Sequence, residues 1–268
     1  MALTGTTLAR SHATKGHGGP AALFHRNFTV FKRGWVYFLT GFAEPVLYLL
    51  SIGVGVGALV GGFTLHGEEV SYTHFVAPAM LATSAMNGAV IDSTYNVFFK
   101  LRFEKVYDAV LATPLGPRDV ARGEVGWAVF RGAAYSAGFL LVMLAMGLVD
   151  SWWGLLALPA AVLIGFAFAG VGMALTTFMK SWQHFEYIQL ALIPMFLFSA
   201  TFFPVTTYDE PVRWVVEATP LYRGVVLTRE LCTGLVTVES LVSVVYLVAM
   251  GVLGTALATR RLGRLLLT

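Results

Sequence analysis

The chain has 268 residues, 57% of them hydrophobic and only 12% charged, with a mean hydropathy of +0.72. A soluble fold of this size cannot hide so much apolar surface, which excludes a water-soluble domain and indicates an all-α, polytopic membrane protein. The net charge of +3 matters less than where the charges sit, and the single cysteine, Cys232, excludes an internal disulfide and gives no zinc or iron–sulfur pattern.

Residues 1–19 lack an apolar core and a cleavage site, so they are expected to be a disordered cytoplasmic tail with no signal peptide removed. Residues 20–34, PAALFHRNFTVFKRG, mix Leu23, Phe24, Phe28 and Phe31 with His25, Arg26, Lys32 and Arg33, which predicts a basic amphipathic helix in the membrane interface. The remainder, 35–268, is expected to form one domain of six spans. The first runs from about Trp35 to Gly61, with Glu44-Pro45 inside it and glycines spaced for close helix contact. A loop, FTLHGEEVSYTH, holds Glu68 and Glu69 but no lysine or arginine. The second span, Phe75 to Phe98, carries Asn87, Asp92 and Asn96 near its far end.

The loop at 99–122 is the most charged internal stretch of the chain. Within it Phe103, Val106, Tyr107, Val110 and Leu111 recur at helical spacing, opposite Glu104, Lys105 and Asp108. Thr113-Pro114 and Gly116-Pro117 stop that helix, because proline cannot continue the hydrogen-bond ladder. The third span follows from Val125 to Val149, the fourth from Leu155 to Met179, and the fifth from Phe185 to Phe203, with tight polar turns between them. Residues 204–236 are too polar and too often interrupted by Pro204, Pro211 and Pro220 to span, yet too apolar to float free. Two short helices that dip into the membrane face and return fit them best. A sixth span, Val238 to Ala258, ends in Arg260, Arg261 and Arg264.

Lysine and arginine decide the orientation. Arg10, Lys15, Arg26, Lys32, Arg33, Lys100, Arg102, Lys105, Arg118, Arg122, Lys180, Arg260, Arg261 and Arg264 fall on one side, against Arg213, Arg223 and Arg229 on the other. Both termini and the 99–122 loop are therefore expected in the cytoplasm, in a multi-pass inner-membrane protein. No phosphate-cradling loop, HExxH or GxSxG occurs, so no catalytic residue, metal site or bound cofactor is expected in this chain. His66 and His74 near Glu68 and Glu69 read as an exposed polar loop rather than a metal site.

Glu44 lies on the order of 15 Å into the first span at 1.5 Å per residue. A carboxylate at that depth either lines a substrate path or gate, or anchors the Pro45 kink. Asp92 reads more simply as a cap or a partner for Lys100, with substrate contact as the other reading, and Glu186 reads likewise. Asn87, the aromatics Phe198, Phe202 and Phe203, and Tyr208 and Tyr222 of the 204–236 region complete the candidate path; that region serves either as an outer gate or as an interfacial plug.

The order of these features resembles the membrane permeases of the type-2 ABC exporter family, in the branch of nodulation lipo-oligosaccharide and daunorubicin-resistance permeases. The resemblance runs from Phe24 to Arg264 and is carried by STYNVFFKLRFEKVYDAVLATPLGPRDVARGEVGW at 93–127, FSATFFPV at 198–205 and TPLYRGVVLTREL at 219–231. It implies an interfacial connecting helix at 20–34, re-entrant extracytoplasmic helices at 204–236, and a coupling helix around 101–112 that docks on a separate ATPase subunit. The coupling residues would be Arg102, Glu104, Lys105, Val106, Tyr107, Asp108, Val110, Leu111, Thr113 and Pro114, with aspartate at Tyr107 or Val110 expected to weaken attachment. It implies two ATPase copies that bind ATP and Mg, a second permease half, identical or homologous, and a surround of membrane lipids; nucleic acid is no partner. Relatives often carry Ser-Gly-Thr where this chain has Ser199-Ala200-Thr201.

The expected cargo is an amphiphilic, lipid-linked or hydrophobic drug-like molecule. A polysaccharide exporter, a membrane-embedded lipid-modifying enzyme and a proton-coupled carrier are the rivals. The first needs a row of aromatics, the second a polar constellation that Glu44 alone does not provide, and the third a Glu44 that couples to a pH gradient.

Overall fold

A computed structural model describes residues 19–33, 43–60, 62–65 and 68–266. The tail, the start of the first span and His66 lie outside them. Helix α1 (Gly19–Arg33) lays Phe24, Phe28 and Phe31 on Trp127 and Phe130 of the third span, with ring centroids 5.3–6.1 Å apart. Its amphipathic spacing thus has a partner within the chain.

Among the described residues five helices are long and apolar enough to cross a membrane: α2 (Ala43–Val60), α3 (Tyr72–Arg102), α5 (Pro117–Ala145), α6 (Trp152–Thr176) and α10 (Val238–Leu266). Between α2 and α3 the expected loop is a hairpin, β1 (Gly62–Leu65) against β2 (Glu68–Ser71), with Phe63 opposite Val70. Alternation makes it, since Phe63 turns inward onto Tyr72 and Phe75. Ser71 then caps α3, its hydroxyl accepting from the His74 amide at 3.3 Å. Helix α3 is the axis of the molecule and is buried along most of its length. It widens into a π turn over Asp92–Asn96 and runs on to Arg102, past the expected end at Phe98.

The charged loop is not one continuous helix. The backbone breaks at Lys105, whose φ of +49° is left-handed, and a short helix α4 (Val106–Leu111) follows. Gly116 and Asp119 then start α5, the Asp119 carboxylate accepting from the Gly116 amide at 3.0 Å.

Helix α7 (His184–Phe198) has 15 residues and ends before Phe203, where the fifth span was expected to close. The cause is local. The Thr201 hydroxyl takes the Phe196 carbonyl at 2.8 Å and the Ser199 hydroxyl takes that of Met195, which ends the ladder that further amides would have continued. Ala200 sits at φ +54°, a left-handed conformation, and its carbonyl accepts from Arg229 at 2.8 Å. Glycine at this position removes the Cβ clash, so Ala200→Gly is expected to raise stability by about 1 kcal/mol in thermal unfolding of the detergent-solubilised chain.

The 204–236 region forms α8 (Glu210–Ala218) and α9 (Pro220–Thr233) after a single 3-10 turn. Helix α8 exposes Trp214 and Val215 and buries Val216. Helix α9 is buried: Thr228 donates to the Pro78 carbonyl at 2.9 Å, and Arg229 donates to Phe75 while its guanidinium lies 3.7 Å from that ring's centroid. Glu230 accepts from Thr237 and Ser240 and so fixes the start of α10. The main core joins α3, α5, α6, α9 and α10, leaving α2 and α7 more loosely attached at one side.

Candidate functional site

That loose attachment leaves a cavity of about 770 Å³ between α2, α3 and α7. Its walls are largely apolar: Pro45, Ile52, Val56, Met80, Met86, Val90, Leu192 and Ile193. Aromatic side chains line it along α2, α3, α7 and the turn beyond, namely Tyr48, Tyr72, Tyr95, Phe196, Phe202 and Phe203. Tyr48 meets Phe196 at 5.7 Å between centroids, and Phe196 meets Phe202 at 5.3 Å. Polar groups are few. Glu44, Thr83, Asn87 and Gln189 supply them, and Gln189 donates to the Tyr95 hydroxyl at 3.3 Å.

Of the residues named for the substrate path, Glu44, Asn87, Phe202 and Phe203 meet here. Phe198 and Tyr208 instead face each other at 6.2 Å, and Tyr222 is buried with Ala200 and Val216 under α8. Asp92 is elsewhere too. It is 2% exposed and forms an ion pair with Arg131, whose Nη1 donates to its Oδ1 at 2.9 Å; Asn96 donates to the same carboxylate. Its expected partner, Lys100, is engaged differently. Arg131 was readable in principle: an arginine in the middle of a span needs a carboxylate on a neighbouring span, and Asp92 is on the adjoining one.

Lys100 belongs to a buried polar joint two turns further on, in the last turn of α3. Its ammonium donates to Glu124 Oε2 at 2.8 Å and to Asn27 Oδ1 at 3.1 Å, and Asn27 donates back to Glu124 at 3.1 Å. The Tyr107 hydroxyl turns to the same carboxylate. Burial, with that negative charge beside it, pushes the phenol well above its usual range. Four elements, α1, α3, α4 and α5, thus meet on one carboxylate.

This joint changes which face of α4 is free. Tyr107 is 1% exposed, Val106 and Val110 are half-buried against the core, and Leu111 is half-buried. Arg102 donates to the Met179 carbonyl at 3.0 Å, which ties α4's base to the α6–α7 turn. Glu104, Lys105, Asp108, Thr113 and Pro114 are exposed, and so is Phe103, at 64%. The outward surface is therefore Phe103 with a polar surround, not the Val106–Tyr107–Val110 stripe that helical spacing indicated. The Lys105 break accounts for the difference, because it rotates the residues before it out of register with those after it.

Comparison with known proteins bears on this arrangement. The sequence model of the family described as ABC-2 type transporter matches residues 21–232. Nodulation protein J of Rhizobium leguminosarum bv. trifolii is 35% identical over 91% of this chain and 94% of its own length. Nodulation protein J of Rhizobium meliloti (strain 1021) is 32% identical, covering 90% of this chain and 93% of the relative.

Proposed function

Because this chain belongs to the ABC-2 type transporter family, we propose that it is the membrane half of an ATP-driven exporter of an amphiphilic, lipid-linked or hydrophobic drug-like molecule. It is a multi-pass permease subunit. In this reading α7 is the fifth of six crossings and α10 the sixth, α8 and α9 are re-entrant, both termini face the cytoplasm, and two copies of a separate ATPase and a second permease half complete the assembly. ATP and Mg act in those partners.

The observation that carries the cargo reading is the 770 Å³ cavity, whose apolar walls receive a hydrophobic tail while Glu44 and Asn87 meet a polar head. Its position beside the two least anchored helices suits a path that opens by rigid movement of α2 and α7 against the core. A tryptophan at Asn87 narrows the cavity at its polar point, and is expected to impair ATP-driven uptake of the cargo into inverted vesicles while the ATPase still copurifies. Unimpaired uptake in that variant would overturn the cavity as the path.

A saccharide chain on the cargo is the second reading. The aromatic lining from Tyr95 through Tyr48 and Phe196 to Phe202 favours it, since ring faces stack on the apolar faces of sugars.

Docking of the ATPase is assigned to Phe103 and the polar surround of α4. An exposed aromatic anchor with a charged rim is the composition of an interface centre. Phe103→Asp is expected to weaken ATPase retention by about 30-fold, or about 2 kcal/mol, in pull-downs of the detergent-solubilised complex. Membrane insertion should be unchanged. Tyr107→Asp is no test of docking, because it would put a charge into the buried joint.

A further inference from the structure

A second cavity, of about 920 Å³, lies between the start of α5, the middle of α6 and the last turns of α10. Arg118 and Arg122 stand one turn apart on α5, and Arg260 faces them from α10. All three are exposed, and no ion pair ties them to a carboxylate among the described residues. The carboxylate that does line the cavity, Asp119, is held by the Gly116 amide as the cap of α5. Below the arginines the wall turns apolar at Phe166 and Val252, and the buried Thr255 hydroxyl has no hydrogen-bond partner among the described residues.

The position defines the ligand further. Arg118 and Arg122 open one candidate span and Arg260 closes another, so the guanidinium groups sit at headgroup depth and the apolar wall at acyl depth. A guanidinium takes a phosphate through two parallel N–H donors, and basic pockets between membrane helices suit acidic headgroups. We propose that this cavity binds an anionic phospholipid of the cytoplasmic leaflet, its phosphate on Arg118, Arg122 and Arg260 and its first acyl carbons on Phe166 and Val252. The leaflet rests on the orientation given above. Bound there, the lipid bridges α5 and α10 on a face that does not contribute to the transport cavity.

The test uses the full chain in a neutral detergent, titrated with phosphatidylglycerol, with phosphatidylcholine or with inorganic phosphate. Phosphatidylglycerol alone is expected to raise the melting temperature and to survive as an adduct in native mass spectrometry. The triple variant Arg118→Gln, Arg122→Gln, Arg260→Gln is expected to bind it about 100-fold more weakly, at roughly a factor of five per lost charge. Arg213→Gln, on α8, should bind as wild type does. Equal binding by wild type and triple variant, or equal stabilisation by phosphatidylcholine, overturns the site; equal stabilisation by inorganic phosphate replaces it with a free-anion site. Should the triple variant not fold, the adduct ratio of phosphatidylglycerol to phosphatidylcholine on wild type and on Arg260→Gln decides. None of these readouts depends on an ATPase or on orientation. Labelling of Arg118→Cys by an impermeant maleimide in intact cells reports the leaflet separately: protection agrees with the cytoplasmic side, and reaction overturns the leaflet while leaving the binding result intact.

Discussion

Replacing Lys100 with methionine will lower the stability of the folded chain by about 3–5 kcal/mol, the usual cost of stranding one partner of a buried ion pair. Glu124 is 2% exposed and Lys100 9%, so water cannot reach the carboxylate in compensation. The methionine fills the volume but removes the ammonium that satisfies both Glu124 and Asn27. The second substitution, Glu124→Leu, is the informative one. With both charges gone, the remaining deficit is the unpaired amide of Asn27, about 1–3 kcal/mol, together with the Tyr107 hydroxyl that faced the carboxylate, so the double variant should recover part of the loss. Adding Asn27→Leu should recover some of the rest. Unfolding of the detergent-solubilised protein, followed by tryptophan fluorescence, gives all three values. A Lys100→Met variant within about 1 kcal/mol of wild type would mean that the joint is open to water and contributes little.

The joint also explains what the chain discloses on inspection and what it conceals. Membrane spans are legible because the bilayer requires long apolar runs, and α3, α6 and α10 lie close to where hydropathy puts them, while α5 starts at Pro117, inside the expected loop and ahead of the expected Val125. The helical stretch at 204–236 is legible through its prolines, two of which sit in the first turns of α8 and α9. The outward face of α4 is not, since it depends on a left-handed Lys105 that no spacing rule anticipates. Nor is the end of α7, where hydroxyls of Ser199 and Thr201 replace amides that an apolar run would have led one to expect. Charge partners fall between these cases. Asp92 and Glu124 each have a plausible cation nearby in sequence, and only the packing of α3 against α5 sends Arg131 to the first and Lys100 to the second. Within the cavity, Glu44 and Asn87 were found by the polarity they bring into a span, whereas Gln189 and Tyr48 enter it only because α7 and α2 stand side by side.

Gly254→Leu is expected to be as damaging as the loss of Lys100, for a reason with no electrostatics in it. In lipid there is no hydrophobic force between spans, so association rests on close contact of the helices themselves. Helices α6 and α10 meet backbone to backbone. A Cβ on Gly254 would lie 2.6 Å from the carbonyl carbon of Gly170 and from the Val171 amide nitrogen, and one on Gly170 would lie 2.7 Å from the Gly251 oxygen. Neither neighbour is a side chain that can turn away, so the helices must separate. Even Gly254→Ala should cost about 1–3 kcal/mol, the range for overfilling a tight contact, and leucine more. Gly126→Ala is the control, because nothing lies within 4 Å of a Cβ there. On propensity alone it should gain about 0.5–1 kcal/mol. Thermal unfolding of the three variants side by side decides the matter: if alanine at 254 and at 126 behave alike, α6 and α10 are not in backbone contact, and the rigid half against which α2 and α7 move lacks its tightest seam.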